Sequence, residues 1–366
     1  MRILILNWRD PNHPHAGGAE KSVLEHAKYW HKKGADVTWY SSGFKNSKRE
    51  EGRNGIKIIR VGNHYTTHIL FIIDYLLFGK LKGFDIVIDC FHFLPYFTPL
   101  FMRQEKKIAL IQETGGRLWF KNISFPFSVI GFLLEPLFFL FYRNTIFITA
   151  SESTKKDLMR VGIKKEKIQI IPHGVDTRYT KADREKKPTI LYLGLLSQDK
   201  GLDDALKAFM EIKIKIPDAR LWIAGREQKQ GYFRDLISNF QHPISNIQYF
   251  GYVTEQEKFE LYKKAWILIH PSEKEGWGLT VIEAATQGTP TVGYNVAGLR
   301  DSIKHMQTGI LTDPNFPSLA KKVINVISDK KLYNSLSKEA ILWSKSFDWG
   351  SSGKASFNLL KRLNEN

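Results

Sequence analysis

The sequence predicts an α/β protein built from two mainly parallel sheets, and three observations support this prediction. The chain has 366 residues, more than a single ordinary hydrophobic core accommodates. Apolar runs rich in Ile, Leu and Val recur without strict alternation, which is typical of strands covered on both faces. A polar stretch at residues 173–188, HGVDTRYTKADREKKP, breaks this pattern and is the natural linker between the two sheets.

The predicted strands follow one another along the chain, with helical segments between many of them. They are RILILNW, DVTWYSS, IKIIRV, DIVIDC, KIALIQ and TIFITAS, and then TILYLGL, ARLWIAG, IQYFGYV, WILIHPS and TPTVGYN. After the first run, Gly17 and Gly18 precede residues 19–30, whose apolar side chains recur at helical spacing. Glycines at such a turn let the backbone approach a phosphate or a sugar closely, or simply make a tight turn.

Composition narrows the class of protein. The chain carries 54 Lys and Arg against 37 Asp and Glu, a formal net charge of +17, so nucleic acid, an anionic membrane and an anionic substrate are all considered as partners. Nucleic acid is the weakest of these, because the lysines are scattered and no module of stacking aromatics accompanies them. One cysteine, Cys90, excludes an internal disulfide framework and is expected to be a packed thiol. The opening MRILILNW is predicted to be a strand rather than a signal peptide, which favours a cytoplasmic protein.

Two apolar segments, residues 123–142 and 69–79, lie in the half of the chain with the larger basic surplus. Residues 1–175 contain 26 basic and 15 acidic side chains. The longer segment is nearly long enough to span a bilayer, but Pro126, Pro136 and Glu135 argue against a span. We expect two short apolar helices there, either in the core or docked peripherally on anionic lipid at the inner face of the cell membrane.

The segment EGWGLTVIE holds two glutamates, Glu275 and Glu283, on either side of a predicted loop-to-helix junction. A helix is expected at residues 280–286, so Glu275 lies in the loop and Glu283 lies about one turn inside the helix. In isolation these would be two solvated glutamates on an ordinary helix. Because the segment follows one predicted strand and precedes another, it opens at the carboxyl end of a strand, where open α/β sheets bind ligands.

The start of this helix is suited to a diphosphate. The backbone N–H groups near Gly278, Leu279 and Thr280 are free at a helix N-terminus and carry the positive end of its dipole. A second strand-to-helix turn, LGLLSQDKG, places Lys200 just before a helix. A lysine there is a mobile point charge that suits a diphosphate, although a single lysine before a helix is usually only solvated.

These motifs together resemble the retaining glycosyltransferases of family 4. The resemblance implies the GT-B fold, in which two Rossmann-like domains face each other across a donor and acceptor cleft, and it covers nearly the whole chain. It rests on GGAE, ASEST (150–154), IIPHGVD (170–176), KG (200–201), IAG ending at Gly225, FGYV (250–253) and EGWGLTVIEAATQGTPTV. The expected domains are an acceptor-binding domain at 1–174, a nucleotide-sugar-binding domain at 175–345, and a helical segment at 346–366 that returns to the first domain.

The resemblance implies a role for each residue that matches a family motif. Glu283 would hold the ribose, Tyr252 and the nearby backbone the base, and Glu275 the donor sugar. Lys200 and the amides of Gly278, Leu279 and Thr280 would hold the diphosphate, with Gly18 approaching from the first domain. The full set of expected residues is Glu275, Lys200 and Gln112 for catalysis, and Gly18, Lys200, Gly225, Arg226, Gly251, Tyr252, Gly278, Leu279, Thr280 and Glu283 for the donor.

Two positions depart from the family pattern. The family commonly has Gly-Arg before the lysine, whereas here Leu195 follows Gly194, so Arg226 is a candidate replacement cation. Where the family often has a histidine at a first-domain strand end, this chain has Gln112. Glutamine donates and accepts hydrogen bonds but cannot carry the charge of a proton. Both changes favour an altered donor preference or a weakened enzyme.

The expected function is transfer of a sugar, with retained anomeric configuration, from a UDP- or GDP-type donor to a lipid-linked or cell-surface glycan. The nucleotide sugar is a substrate, and neither a cofactor nor a metal is expected. One alternative is a protein of this fold with weakened catalysis that binds sugar nucleotides or membranes. Others are a GT-B sugar-nucleotide epimerase, which needs no acceptor, and a phosphorylase, which uses free phosphate. Turnover of a sugar nucleotide separates the enzymes from the binding protein.

Overall fold

The computed structural model describes residues 1–79, 81–176, 183–238 and 246–365. The chain divides into unit 1, which comprises Met1–Gly174 and Trp349–Asn366, and unit 2, Val175–Asp348. The first division matches the boundary expected between residues 174 and 175, and the second lies three residues beyond the boundary expected at 345. The C-terminal helix belongs to unit 1. Residues 177–182 of the predicted linker lie outside the described residues.

Unit 1 is a mainly parallel sheet with helices on both faces, in the strand order β3-β4-β2-β1-β5-β6-β7-β8. Its strands are β1 Arg2–Leu6, β2 Asp36–Ser41, β3 Glu50–Arg53, β4 Ile56–Arg60, β5 Ile86–Phe91, β6 Lys106–Ile111, β7 Ile146–Thr149 and β8 Ile168–Ile170. Its first five helices are α1 Gly18–Lys32, α2 Thr67–Ile73, α3 Trp119–Asn122, α4 Phe127–Phe141 and α5 Glu152–Arg160.

Unit 2 is a parallel sheet in the order β11-β10-β9-β12-β13-β14. Its strands are β9 Thr189–Leu193, β10 Arg220–Ala224, β11 Ile247–Tyr249, β12 Ile267–His270, β13 Thr291–Tyr294 and β14 Gly309–Thr312. The helices are α6 Leu202–Lys215, α7 Tyr232–Ser238, α8 Glu255–Lys264, α9 Leu279–Thr286, α10 Leu299–Ser302, α11 Phe316–Ser328 and α12 Lys330–Ser344; α13 Trp349–Glu365 then completes unit 1.

Every predicted strand is present, and the structure adds three that the sequence analysis missed: β3, β8 and β14. Strand β3 is also the exception to the expected parallel pairing, since it runs antiparallel to β4. Its sequence, EEGR, is polar because it is an edge strand with exposed side chains. The turn between the two strands is Asn54-Gly55, with φ of 50° and 79°, and this Asn-Gly pair is a hairpin signal present in the sequence.

The two faces of each sheet are covered by different helices. In unit 1, Ile86, Ile88 and Cys90 face the side packed by α1 and α13, while Val87 and Phe91 face the side packed by Phe71 of α2 and by α4. This alternation follows from the two-residue period of a strand. Cys90 is a buried free thiol, as expected. Burial raises the pKa of this thiol well above its usual value.

The apolar segment 123–142 contradicts one expectation. Instead of two short helices, the structure has one continuous helix, α4, with Pro136 inside it and Pro126 at its N-cap. A proline inside a helix removes only one backbone hydrogen bond, that to the carbonyl four residues earlier. That residue, Phe132, is exposed, so solvent can reach the region of the freed carbonyl. Among the described residues, no helix is both long and apolar enough to cross a membrane.

Candidate functional site

Unit 2 has a topological switch point between β9 and β12. From β9 the chain moves outward to β10 and β11, and it then returns to the other side of β9 to form β12, β13 and β14. The helix after β9, α6, packs on one face of the sheet, and Ala284 of the helix after β12, α9, packs on the other. The loops after β9 and β12 therefore diverge and leave a crevice at the carboxyl edge, which is where open α/β sheets bind ligands.

Lys200 and Glu275 meet at this crevice. Lys200 follows β9 and Glu275 follows β12, and Lys200 Nζ donates to Glu275 Oε1 at 2.8 Å. Their side chains retain 21% and 17% exposure, so a ligand can reach both. Burial opposes the ionised form of Glu275 most strongly, but the charge of Lys200 and hydrogen bonds from Lys200 and Ser272 hold the pKa of Glu275 below its usual value. The two residues form an ion pair at neutral pH.

Two glycines allow close backbone contacts beside Lys200 and Glu275. Gly201 has φ of 73°, and a Cβ there would lie 2.1 Å from the carbonyl oxygen of Pro271. Gly298 has φ of 80°, and a Cβ there would lie 2.1 Å from the carbonyl oxygen of Glu275. Any side chain at either position would displace the backbone that carries Lys200 or Glu275. The KG pair at residues 200–201 therefore has a steric basis.

Helix α9 begins at the crevice, one residue earlier than predicted. Gly278 is its N-cap, with φ of 91°, and the amides of Leu279 and Thr280 lie in the first turn, where an α-helix supplies no partner for N–H groups. His270, at the end of β12, has Nε2 at 3.0 Å from Thr280 Oγ1 and Nδ1 at 3.0 Å from Ser272 Oγ. Burial lowers the pKa of His270, so its ring is neutral and fixes Thr280 by hydrogen bonding.

Glu283 lies one turn inside α9 and is almost fully buried, with 1% exposure. Its Oε1 accepts from Lys258 Nζ at 2.8 Å, and its Oε2 accepts from the Tyr262 hydroxyl at 3.3 Å. Lys258 also contacts Glu255 at 2.8 Å. Both glutamates of EGWGLTVIE are thus paired with a lysine. Glu275 pairs with Lys200, in the loop after β9, and Glu283 pairs with Lys258, in α8. The sequence analysis identified Lys200 as a candidate but missed Lys258 and His270.

The remaining expected donor residues follow β10 and β11, the strands on the other side of β9. Gly225 donates its backbone N–H to the Gly251 carbonyl at 2.8 Å, and a Cβ on Gly225 would clash with the Gly194 carbonyl. Next to them, the Arg226 guanidinium lies over the Tyr252 ring, 4.9 Å from its centroid. Because adjacent parallel strands end at the same edge, these residues lie beside the crevice. Tyr252 is 69% exposed and presents a ring surface to solvent.

Leu195, the position where the family commonly has arginine, lies in the turn after β9. Its side chain is 39% exposed, and its carbonyl accepts from the Tyr192 hydroxyl at 3.1 Å. The adjacent Leu196 donates its backbone N–H to the Arg226 carbonyl at 2.8 Å. Arg226 is therefore attached to the turn that holds Leu195, which keeps it a candidate for the replacement cation.

Unit 1 carries the two other expected residues. Gly18 is the first residue of α1 and is exposed. Gln112 directly follows β6, and its carbonyl accepts from Thr154 Oγ1 at 2.8 Å. Both lie at the carboxyl edge of the sheet of unit 1.

Unit 1 also contains a buried polar cluster that the sequence analysis missed, at its own switch point between β1 and β5. Glu20, in the first turn of α1, accepts from Arg9 Nε at 3.0 Å and from Gly17 N at 2.7 Å, and it lies 3.2 Å from His92 Nε2. Burial and the charge of Arg9 lower the pKa of His92 to about 4, so the imidazole beside Glu20 is neutral at pH 7. GGAE was recognised as a motif, but its glutamate received no role.

The described residues include no group of three or more His, Cys, Asp and Glu side chains arranged to hold a metal ion. That the protein works without a metal stays a prediction, since the finding concerns only these side-chain groups.

Two family models match consecutive parts of the chain. The model described as Glycosyltransferase Family 4 matches residues 16–179, and the model described as Glycosyl transferases group 1 matches residues 177–343. Among curated sequences, an uncharacterized glycosyltransferase of Methanocaldococcus jannaschii is 27% identical over 99% of this chain and 98% of its own length.

Solved structures show the same fold at low sequence identity. Sucrose-phosphate synthase from Thermosynechococcus elongatus superposes with a TM-score of 0.84 at 17% identity, covering 99% of this chain and 98% of that one. Anabaena HepE, crystallised in complex with UDP and glucose, superposes with a TM-score of 0.79 at 16% identity, covering 99% of this chain and 100% of that one. The second of the two family models, group 1, describes the second half of the same glycosyltransferases. The chain therefore has the GT-B fold and belongs to the family 4 glycosyltransferases.

Proposed function

We propose that this protein transfers a sugar from a UDP- or GDP-type sugar nucleotide to a lipid-linked or cell-surface glycan, with retention of the anomeric configuration. The observation that carries the proposal is the switch point of unit 2, where Lys200 pairs with Glu275 in the loop that leads into the N-terminus of α9. A lysine, as a point charge, and a helix N-terminus are both suited to bind a diphosphate. The UDP and glucose bound to HepE support a nucleotide sugar as the donor.

Each part of the donor has a matching group around the crevice. Lys200 and the amides of Leu279 and Thr280 would bind the diphosphate, and Glu275 would accept hydrogen bonds from the sugar hydroxyls. The exposed ring of Tyr252, backed by Arg226, would stack on the base. Carboxylates accept hydrogen bonds from hydroxyl groups strongly, which makes Glu283 the proposed partner of the ribose.

Ribose binding at Glu283 requires one further step. Its Oε1 accepts from Lys258, so the ribose hydroxyls would either share this oxygen or displace the lysine. Lys258 has Glu255 as a second partner at 2.8 Å, and this contact can hold the ammonium when the ribose binds. We therefore expect a small movement of Lys258 on donor binding.

The chemistry follows from stabilising the leaving group. The bond between the anomeric carbon and the diphosphate oxygen breaks with its electron pair going to the diphosphate. The Lys200 ammonium and the α9 amides would stabilise the negative charge that develops there. The acceptor hydroxyl oxygen forms the new bond on the same face of the sugar, and its proton passes to the departing phosphate oxygen. Because the lysine and the amides supply positive charge, we expect turnover to persist in the presence of a chelator.

The acceptor is proposed to bind unit 1, whose polar residues at the carboxyl edge include Arg9, His92 and Gln112. The proposal includes a cytoplasmic location with peripheral contact to anionic membrane, where a lipid-linked glycan would be available. Within this set, Gln112 is the group proposed to contact the transferred sugar, through a neutral amide.

A panel of UDP- and GDP-sugars tests the donor assignment. We expect at least one to raise the melting temperature by mass action and to release its nucleoside diphosphate when a glycolipid acceptor is added. Lys200→Met should weaken both effects strongly. The matched control is Lys187→Met, which removes a lysine of unit 2 whose partner, Asp218, is a surface residue at 2.7 Å. Equal loss in both variants, or no stabilisation of the wild type by any of these nucleotides, would refute the proposal.

The same panel separates the alternatives. Leu195, in place of the family arginine, favours weakened catalysis, and a protein that binds a sugar nucleotide without turning it over would be the binding module. An epimerase would convert the donor with no acceptor present. Leu195→Arg should tighten nucleoside diphosphate binding if the diphosphate lies beside the turn after β9, and no gain in calorimetry with the fold intact would show that another residue fills this position.

A further inference from the structure

We propose that the outward face of α4 is a docking surface for an anionic lipid bilayer. This α4 apolar face consists of exposed side chains that recur every three or four residues along the helix: Phe127, Ile130, Leu133, Leu134, Leu137, Leu140 and Phe141. A helix in a protein with one core normally turns such a stripe inward. The inference deepens the proposed function, on which it rests, by placing the acceptor at a membrane.

The fold itself fixes this outward orientation. The inward side of α4 holds Ser128, Gly131, Glu135 and Phe139. The Glu135 carboxylate accepts from the backbone N–H groups of Gly115 and Gly116 at 2.6 and 2.7 Å, and from Trp119 Nε1 at 3.2 Å.

Gly131 reinforces this anchoring. A Cβ there would lie 2.2 Å from the Trp119 ring, so the helix packs closely on that ring through its small residue. Turning the apolar stripe inward would bury bulky side chains against Trp119 and leave Glu135 without its three donors. The exposed apolar face is therefore built into the structure.

The charges around the α4 apolar face indicate which partner binds to it. Between residues 117 and 151 the only acidic side chain is Glu135, which is buried. Arg117 is exposed next to the glycines that bind Glu135, Arg143 is exposed just beyond the C-terminal end of α4, and Lys121 is half-buried in α3. A second copy seated across a twofold axis would bring the same basic groups together, which is unfavourable. An anionic lipid surface is instead attracted by them.

A second set of exposed apolar side chains lies on the same face of the sheet of unit 1. Ile69, Leu77 and Phe78 belong to α2 and the single π-turn that follows it, and they are 62%, 74% and 62% exposed. Since α2 and α4 both pack on the side of β5 that carries Val87 and Phe91, these side chains add to the apolar surface on that side of unit 1.

Vesicle sedimentation tests the inference with two charge-matched variants. L133E/L137E places two carboxylates on the α4 apolar face, and I214E/L342E places two on exposed positions of α6 and α12 in unit 2, where Ile214 and Leu342 are 76% and 50% exposed. With vesicles of equal parts phosphatidylglycerol and phosphatidylcholine, the wild type and I214E/L342E should bind. L133E/L137E should bind at least about tenfold more weakly, because charged groups are expensive to insert below the headgroups.

Four outcomes would overturn the inference. The first two are no sedimentation of the wild type with anionic vesicles, and equal binding of L133E/L137E and I214E/L342E to these vesicles. The other two are equal binding of the wild type to anionic and to pure phosphatidylcholine vesicles, and a wild-type dimer that L133E/L137E dissociates while neither the wild type nor this variant binds vesicles. High salt should release the wild type, because the Debye length falls to about 3 Å at 1 M ionic strength and screens the electrostatic contribution. Vesicle binding requires no donor, and UDP or GDP affinity of L133E/L137E requires no lipid. Failure of the docking surface and failure of the proposed donor site are therefore measured separately.

Discussion

Removing the Lys200 ammonium is the perturbation that bears most directly on the proposed chemistry. Lys200→Met keeps a side chain of similar length and removes the charge that lies 2.8 Å from Glu275 Oε1. A hydrogen bond to a charged group contributes about 1.5–3 kcal/mol, which corresponds to a loss of about 10- to 150-fold in affinity for a nucleoside diphosphate. Calorimetric titration with UDP and with GDP measures this loss, and a thermal melt checks that the fold is intact.

The ion pair complicates this reading, because Lys200→Met also leaves the Glu275 carboxylate unpaired next to the incoming diphosphate. A double-mutant cycle with Glu275→Gln separates the two effects. If Lys200 binds the diphosphate directly, the double variant stays weak, and Glu275→Gln alone keeps or tightens nucleoside diphosphate binding because it frees the ammonium. Turnover by Glu275→Gln should nevertheless fall, since the proposed contact of Glu275 is with the reacting sugar.

Recovery of normal affinity in the double variant would show that Lys200 only neutralises Glu275. Unchanged affinity in Lys200→Met itself would refute a diphosphate at this turn. Much weaker nucleoside diphosphate binding by Glu275→Gln would show that Glu275 has been assigned to the wrong part of the donor.

Three further predictions concern the ribose contact, the glycine turn and pH. Glu283→Gln should weaken UDP or GDP binding by about tenfold or more, because a neutral amide is a weaker acceptor for ribose hydroxyls; calorimetry on a variant with an unchanged far-UV spectrum checks this, and unchanged affinity would reject the role. Gly201→Ala should lower the free energy of unfolding by more than about 2 kcal/mol, through the left-handed backbone and the clash with Pro271. The control is Gly162→Ala, with φ of 91° and no atom within 4 Å of its Cβ, which should lower the free energy of unfolding by only about 1 kcal/mol. Equal values for the two variants in denaturant titrations would contradict the steric explanation. Burial lowers the pKa of His26 to about 4, so between about pH 6.5 and 4 the unfolded chain takes up a proton that the folded chain excludes. Stability should therefore fall as the pH drops through this range. The melting temperature of His26→Asn should fall less steeply with pH than that of the wild type, and an equal slope for both proteins would contradict the prediction.

Most of the strands and the helix that bears Glu283 could be predicted from the sequence because their signals are local. Apolar runs bounded by turn residues mark buried strands, and the loop and helix of EGWGLTVIE differ from the prediction by one residue at the start of α9. The partners of the two glutamates could be predicted only in part. Lys200 lies in a recognisable turn, but Lys258 sits in α8, and only packing of α8 against α9 brings it to Glu283.

The orientation of α4 could not be predicted because it reverses the usual pattern of an amphipathic helix. In the sequence Glu135 argues against a membrane span, but that argument does not reveal what the carboxylate binds. Its three donors come from the loop and short helix at residues 115–119, a contact between segments that no periodicity encodes. His270 was missed for a related reason. In the sequence it is only the last residue of a strand, and its role depends on Thr280 of α9 lying at the carboxyl edge where β12 ends.

A crystal structure of the protein with a bound nucleoside diphosphate tests the central claim most directly. We predict a diphosphate in the crevice between the loops after β9 and β12, with its oxygens about 2.7–3.2 Å from Lys200 Nζ and from the amides of Leu279 and Thr280, and with the ribose at Glu283. A nucleotide bound in unit 1, or in unit 2 with its diphosphate away from the start of α9, would contradict the proposed donor site.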